Sequence, residues 1–524
     1  MDDQALLAKL EQLNAIGAAL SREADLARLL ERILLSAIDL TYADAGTIYL
    51  TNADKALEFR ILVNRSLGLQ LGGSQGGRIG LPDIPIFDAE GHPNDHMVAA
   101  YAAAHQTTVN IGDAETAEGF DFSGTRAFNQ RTGYKSRSFL TVPLIDHHRE
   151  TIGVLQLINA IDPATGAIRA FSTKDQSLAE SLASQAAIAY TKRRLMDQLA
   201  ELFESLVSLI NTAIDEKSPY TSKHCERVPE LTMMIAEAVH NTQTGPLANF
   251  RMSDADRYEL RIAGLMHDCG KITTPVHVMD KATKLQTLFD RIHLLDARFE
   301  VLRRDAAIRR LERLTDSPED WRAIDAEYQA RLAELAADQV FLGHCNVGGE
   351  AMAATDQERI GRIATYRWTD AGGVEQPFLT PDEEACLRIP RGTLTAAERE
   401  VINHHIVSTI HMLEALPWPR HLQRVPEFAG GHHERVDGKG YPKGLTGGQM
   451  SVQARIMAIA DIFEALTAAD RPYKPPKPLS ECLAIMDRMA AEGHIDPDIY
   501  AVFLGAGIPR AYAREHLMPE QIDI

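Results

Sequence analysis

The 524-residue sequence predicts an α+β N-terminal domain, an antiparallel sheet with flanking helices, joined by a long helix to an all-α domain with a helical-hairpin insertion. Three observations lead there. Short β-like runs separated by turns fill the first third of the chain, apolar spacing turns helical from Ser172, and fourteen of the nineteen histidines lie after residue 196. Neutral imidazole is a common metal ligand. A sensing or scaffold half followed by a metal-bearing half is therefore expected.

The chain opens with a helix whose apolar positions, Leu6, Leu10, Leu13, Gly17 and Leu20, step by four and three. The runs GTIYL, EFRILV, SFLTVPLI and TIGVLQLIN then alternate with turns, and these belong to a domain spanning 1–190. The stretch GGSQGGRIGLPD among them lacks the G-x-G-x-x-G order of a phosphate loop. Leu195, Leu199, Leu202, Leu206, Leu209 and Ala213 form a heptad stripe, so residues 191–215 read as a coiled-coil linker that holds a parallel homodimer. The run Lys192-Arg193-Arg194 on the same helix reads as a solvated face.

Residues 216–524 form the second domain, with an insertion at about 281–392. Leu285, Leu288, Ile292, Leu295, Phe299 and Leu302 make one helical stripe. A stop at LTDSPEDW follows, with Ser317 as N-cap and Pro318 at the first helical position. Trp321, Ile324, Tyr328, Leu332 and Leu335 make the returning stripe, giving an antiparallel hairpin over 281–340. Residues 341–393 are expected to be less regular, with a small hairpin or loop at YRWTDAGGVEQPFLTP.

Lys and Arg total 54 against 73 Asp and Glu, a net charge of −19. That balance fits poorly with non-specific duplex binding, which depends on basic phosphate contacts, so no nucleic acid polymer is expected as a partner. Five scattered cysteines without a C-x-x-C pair fit reduced thiols and a cytoplasmic location. The start, MDDQALLAKLEQL, is acidic and amphipathic rather than signal-like, and no run of ~18 apolar residues calls for a membrane.

The chemistry is concentrated in two segments. LRIAGLMHDCGKI sets His267 beside Asp268 near the end of an apolar helix, one nitrogen and one oxygen donor, with a carboxylate able to bridge two cations. Lys271 lies about one turn further on, close enough to face a bound phosphate. GGHHERVDGKGYPKGL holds His432-His433 followed by Asp437, Gly438, Gly440, Tyr441 and Pro442, and the glycines flanking Lys439 permit tight turns. His224, the pair His404-His405 and Asp461 add to the set. Asp461 stands in the apolar helix ARIMAIADIFEAL, where metal coordination is one way to satisfy a buried carboxylate. His404 reads as the neighbour that faces away.

HD-x-GK followed by HHE-x-x-DG-x-GYP resembles the HD-GYP phosphodiesterases, a bacterial signalling branch of the HD phosphohydrolases that hydrolyses cyclic di-GMP. SPYTSKHCERV, LTAAEREVINHHIV and ADIFEALTAADRPYK stand in the same family order. The resemblance implies two divalent metal ions held by His224, His267, Asp268, His405, His432, His433 and Asp461. It implies Lys271 on the scissile phosphate, Arg471 and Lys474 on the other phosphate, and Tyr441 in a loop that closes on the nucleotide. It also implies ring opening to linear pGpG, with GMP as a possible further product. Mixed His/Asp ligation suits iron or manganese. Two alternatives stay open: a non-catalytic cyclic-dinucleotide receptor, and a phosphodiesterase for cyclic GMP-AMP whose base pockets the insertion reshapes.

Two features depart from the family pattern. The insertion replaces a short link, and Tyr220 stands where some members have a Glu that helps hold a third metal. A phenol keeps its proton to near pH 10, so two metals are expected. The N-terminal segment resembles a GAF domain of the cyclic-nucleotide type, through FNQRTGYKSRSFLTVPLI and IGVLQLINA. Asn159, Phe171 and Asp175 match part of that group's signature, while Ala160 and Gln176 replace its Lys and Glu. The resemblance implies regulation through a small ligand at those three residues, or a purely dimerising scaffold.

Overall fold

A computed structural model describes the chain apart from residues 1–2, 21, 24, 75, 78, 218–223, 350 and 470–475, and apart from the side chains of 3–10 and 12. The chain divides into two compact units, Met1–Phe203 and Glu204–Ile524.

In the first unit, helices α1 (Asp3–Leu20) and α2 (Leu26–Thr41) precede strands β1 (Ala43–Thr51), β2 (Ala56–Asn64), β3 (Leu69–Gly72) and β4 (Ile84–Pro85). Helix α3 (Val98–His105), β5 (Val109–Ile111) and α4 (Ser123–Thr132) lead to β6 (Phe139–Ile145), β7 (Thr151–Ile161) and β8 (Ile168–Arg169). The strands pair antiparallel in the order β3-β2-β1-β7-β6-β5, with β4 on β2 and β8 on β7. Side chains alternate across a strand, and the two faces of this sheet do different things. Ile48, Leu50, Leu155 and Leu157 join Leu29, Ile33, Leu34 and Ile38 of α2 in the main core. Thr47, Tyr49, Gln156 and Ile158 face the other way, lining a cavity of about 390 Å³ closed by residues of α3 and α4.

Helix α5 (Thr173–Lys217) runs 45 residues without a break from the first unit into the second. The linker thus belongs to a helix that starts well before residue 191. Leu195, Leu199, Leu202, Leu206 and Leu209 are 49–67% exposed, whereas Val207 and Ile214 are buried.

The second unit begins with α6 (His224–His240) and α7 (Asp254–Met266), followed by a 3-10 turn at Cys269–Thr273 and α8 (Val276–Met279). The insertion supplies α9 (Ile292–Asp316), α10 (Trp321–Asn346), α11 (Ala354–Ala364), a hairpin of β9 (Arg367–Thr369) and β10 (Glu375–Pro377), and α12 (Pro381–Leu387). The helical core resumes with α13 (Ala396–Asn403), α14 (His405–Glu414), α15 (Val425–Gly430) and α16 (Val452–Thr467). Helices α17 (Leu479–Ala491), α18 (Pro497–Gly505) and α19 (Ile508–His516) close it. Ser253 and Asp256 form a capping box that starts α7, and Gly264 lets α7 approach α6, since a Cβ there would lie 3.1 Å from Pro229 Cα.

The insertion corrects the sequence reading in three places. Its first helix starts at Ile292, because the preceding segment is tied down as a loop. The Lys284 amide donates to Asn346 O, the Leu285 amide to Asn346 Oδ1, and Asn346 Nδ2 to Asp290, and Leu288 is left 92% exposed. Ser317 makes no side-chain capping bond, and Pro318–Asp320 form a 3-10 turn. Residues 341–393 are more helical than expected: α10 runs to Asn346, and α12 starts on a Thr380–Glu383 capping box. The β9–β10 hairpin falls inside YRWTDAGGVEQPFLTP. The insertion builds its own core around Leu295, Phe299, Leu335, Leu342, Ile360 and Phe378. At its base Lys281 Nζ contacts both oxygens of Glu398 at 2.8 Å, and Thr393 Oγ1 donates to Lys281 O at 3.0 Å.

Candidate metal centre

Four helix ends meet in the second unit. His267 follows the last turn of α7, His405 opens α14, His432 follows α15, and His224 opens α6. Three of these rings are oriented by the main chain three residues back. His267 Nδ1 lies 2.7 Å from Gly264 O, His405 Nδ1 2.5 Å from Ile402 O, and His432 Nδ1 2.6 Å from Ala429 O. A ring that donates its Nδ1–H to a carbonyl turns an unprotonated Nε2 the other way, the arrangement a metal ligand needs. His224 is oriented by a side chain instead, its Nδ1 2.5 Å from Glu464 Oε2, and Arg227 Nε pairs with the other Glu464 oxygen at 2.9 Å.

The donors fall into two adjoining groups: His224, His267 and Asp268, and His405, His432 and His433. Asp268 stands between them. Its Oδ2 is 3.2 Å from both His224 Nε2 and His267 Nε2, while its Oδ1 is 3.3 Å from His405 Nε2. Asp461 Oδ1 lies 3.2 Å from His224 Nε2, and His433 Nε2 lies 3.1 Å from His405 Nε2. Atoms about 2.1 Å from a shared ion stand roughly 3.0–3.4 Å apart, the spacing seen here. Among the described residues, His432 Nε2 is buried without a hydrogen-bond partner, and Asp268 Oδ1 accepts no hydrogen bond. Orphaned buried donors and acceptors are costly, and divalent metal ions would satisfy both of these atoms.

The charge states of four of the donors suit the same purpose, while burial acts to lower His224 but the carboxylates of Asp268, Asp461 and Glu464 raise it. Burial drives His432 well below the ordinary imidazole range, reinforced by His433 and His267, and burial pushes His433 down to about 4. Burial acts to raise Asp268 and Asp461, yet Lys271 and His267 hold the first, and His224 the second, well below the carboxylate range. Lys271 sits with its ammonium on Asp268 Oδ2.

The loop after His433 forms one wall. Glu434 is buried and accepts from the amides of Lys443 (2.7 Å) and Leu445 (2.8 Å), so it clamps the loop from inside. Tyr441 stacks on His433 with ring centroids 4.9 Å apart, and burial, then Asp461, pushes its hydroxyl up to about 12. Gly440 permits the fold, since a Cβ there would lie 2.4 Å from Glu434 Cα.

The structure brings His224, His267, Asp268, Lys271, His405, His432, His433, Tyr441 and Asp461 together, and His404 is exposed. Arg471, Lys474 and Tyr220 lie outside the described residues. In the first unit, none of Asn159, Phe171 and Asp175 is among the residues that line this cavity. Asn159 binds the Arg137 and Ser138 amides and Lys135 O, Phe171 is packed in the main core, and Asp175 accepts from Arg169 and Ser172 at the start of α5. Their hydrogen-bonding and apolar surfaces are already spent on the domain's own packing. Sequence reasoning missed Glu464, Arg227 and Glu434. The available signal was a second carboxylate one turn after Asp461 in an otherwise apolar helix, and the Glu that completes HHE.

A helical metal-type centre and an antiparallel sheet domain define the class. HD domain profiles match residues 221–334 and 378–499, and a GAF domain profile matches residues 25–190. The chain thus carries a GAF-type domain followed by HD-type matches. It is similar to 3'3'-cGAMP-specific phosphodiesterase 3 of Vibrio cholerae, 26% identical over 298 residues, which cover 57% of this chain and 38% of the relative. It is similar to 3'3'-cGAMP-specific phosphodiesterase 1 of the same organism, 46% identical over 80 residues, covering 15% and 18%. It is also similar to a cyclic di-GMP phosphodiesterase of Thermotoga maritima, 36% identical over 113 residues, covering 22% and 30%. The chain spans less than two-fifths of the length of each of these relatives. Among the described residues, no helix is long and apolar enough to cross a membrane.

Proposed function

We propose that this chain is a cyclic-dinucleotide phosphodiesterase that opens cyclic di-GMP to linear pGpG with two divalent ions. The carrying observation is Asp268, whose two oxygens face different histidine groups, as a bridging carboxylate requires. His224, His267 and Asp461 would share one ion with Asp268, and His405, His432 and His433 the other. Bound ions of this kind lower the pKa of a bridging water and stabilise the attacking and leaving oxygens of a phosphodiester. The thiolate-free donor set supports iron or manganese. Lys271 offers a cation to the scissile phosphate, and Arg471 and Lys474 are assigned to the other phosphate. Tyr441, protonated at neutral pH, covers one side of the site and offers a hydroxyl donor to the nucleotide.

Two further parts belong to this reading. The cavity between the first unit's sheet and α3 and α4 takes a small regulatory ligand, and the exposed leucine stripe of α5 pairs two copies of the chain. A second substrate, cyclic GMP-AMP, is favoured by the names of two of the relatives described above. The test is anaerobic purification, elemental analysis, and turnover of both dinucleotides. Two ions per chain and linear product are expected. In Asp268→Asn, product should vanish and metal content fall, because an amide is a far weaker ligand than a carboxylate. Metal-loaded protein that binds but never cleaves would establish a receptor instead.

A further inference from the structure

We infer that Lys217, the last residue of α5, is a positioning residue for the Lys271 turn, and that through it the linker helix acts on the metal centre. The inference rests on the reading of Lys271 as a phosphate-facing cation. Lys217 Nζ donates to the main-chain oxygens of Lys271, at 3.4 Å, and of Ile272. Both oxygens belong to the five-residue 3-10 turn Cys269–Thr273, which carries Lys271 immediately after Asp268. A cation is a natural cap for the carbonyls of a helical turn's end, and here Lys217 adds to the Thr274 amide that already bonds Lys271 O. Burial depresses the Lys217 ammonium, and among the described residues no carboxylate offsets this. The carbonyls are its partners.

The turn is held from two sides. On the α14 side, the Gly270 amide donates to Thr409 Oγ1 at 2.9 Å, and Thr273 Oγ1 contacts Ser408 Oγ at 3.2 Å. On the other side stands Lys217. Inside the turn, the Lys271 amide donates to Asp268 O at 2.9 Å and the Thr274 amide to Lys271 O at 3.0 Å. The carbonyl that Lys217 caps is therefore part of the frame that aims the Lys271 side chain. Helix α5 is continuous from Thr173, so an axial shift at its start is carried to Lys217. A slide of one residue is about 1.5 Å, enough to take an N–H···O contact out of bonding range. The contact has an engaged state and a released state, set by the helix.

Two variants of the full-length, metal-loaded chain test this. Lys217→Met keeps the aliphatic stem and removes the donors, and Lys217→Arg keeps donors. Amide hydrogen exchange in the 269–274 segment should accelerate in Lys217→Met, with metal content and exchange in α16 unchanged. Turnover of cyclic di-GMP should fall about 10-fold in kcat, the equivalent of one charge-assisted hydrogen bond, with little change in KM. The Arg variant should restore both. Unchanged exchange in 269–274 overturns the inference whatever the activity, and faster exchange with unaltered kcat overturns the positioning role. A wild-type chain without turnover would sink the phosphodiesterase reading alone, and the exchange rates would still decide the Lys217 contact.

Discussion

Glu464 does for His224 what main-chain carbonyls do for His267, His405 and His432, but with a full negative charge. A carboxylate on the far nitrogen makes the imidazole a stronger ligand, and Arg227 Nε pairs with the other oxygen of that carboxylate. Glu464→Gln retains an acceptor and loses the charge. Metal affinity should fall about 10–100-fold, read by competition with a chelator, while Glu464→Asp should lose less. Gly270 is decisive for another reason: a Cβ there would lie 2.0 Å from His405 O and 2.5 Å from the Thr409 amide. Gly270→Ala should push α14 off the turn and separate His405 from Asp268. Elemental analysis should then find fewer than two ions per chain, together with a lowered Tm. The residues gathered at the centre were legible in the sequence as a set, through the spacing and order of their motifs, since a His-Asp pair alone is weak evidence. Glu464 and Glu434 were not, because a single Glu in a helix or loop reads as surface until its partners are known. Asn159, Phe171 and Asp175 carry contacts within their own domain, such as the Asp175 bonds to Ser172, that their residue types alone do not reveal.

At the scale of elements, four strands followed from short β-like runs between turns, and the long helix from a stripe in steps of four and three. The insertion was legible where helix faced helix, as in Phe299 and Leu335, and failed at its base. Leu285 and Leu288 keep helical spacing, yet three hydrogen bonds centred on Asn346, sixty residues away in sequence, hold that segment as a loop. No local pattern carries such information. The ends of the insertion meet at Lys281 and Thr393, and its core is its own. Replacing residues 284–390 by a short Gly-Ser link should therefore leave the remaining helices folded and the metal content unchanged, checked by thermal unfolding and elemental analysis. Loss of the ions would mean that the insertion shapes the centre.

For the whole molecule, the stripe from Leu195 to Leu209 leaves five large apolar side chains uncovered on one helix. A second copy laid parallel would bury them in heptad register. Glu at both Leu202 and Leu206 would place like charges in that seam, where desolvation is costly. Light scattering should report a dimer for the natural chain and a monomer for the double variant. A dimer that survives both substitutions would move the interface elsewhere.

The meeting of the insertion's ends has a consequence for the chain's conformational entropy. Left disordered, a loop of roughly 110 residues would cost the helical core about 3 kcal/mol more to close than a four-residue turn, since closure entropy grows as (3/2)RT ln n. Folded on its own core, with Thr393 bonded to Lys281, the segment holds the ends of α8 and α13 together as a short turn would. Melting of the insertion alone should thus weaken the core by no more than that amount, and its sequence is free to vary as long as it folds.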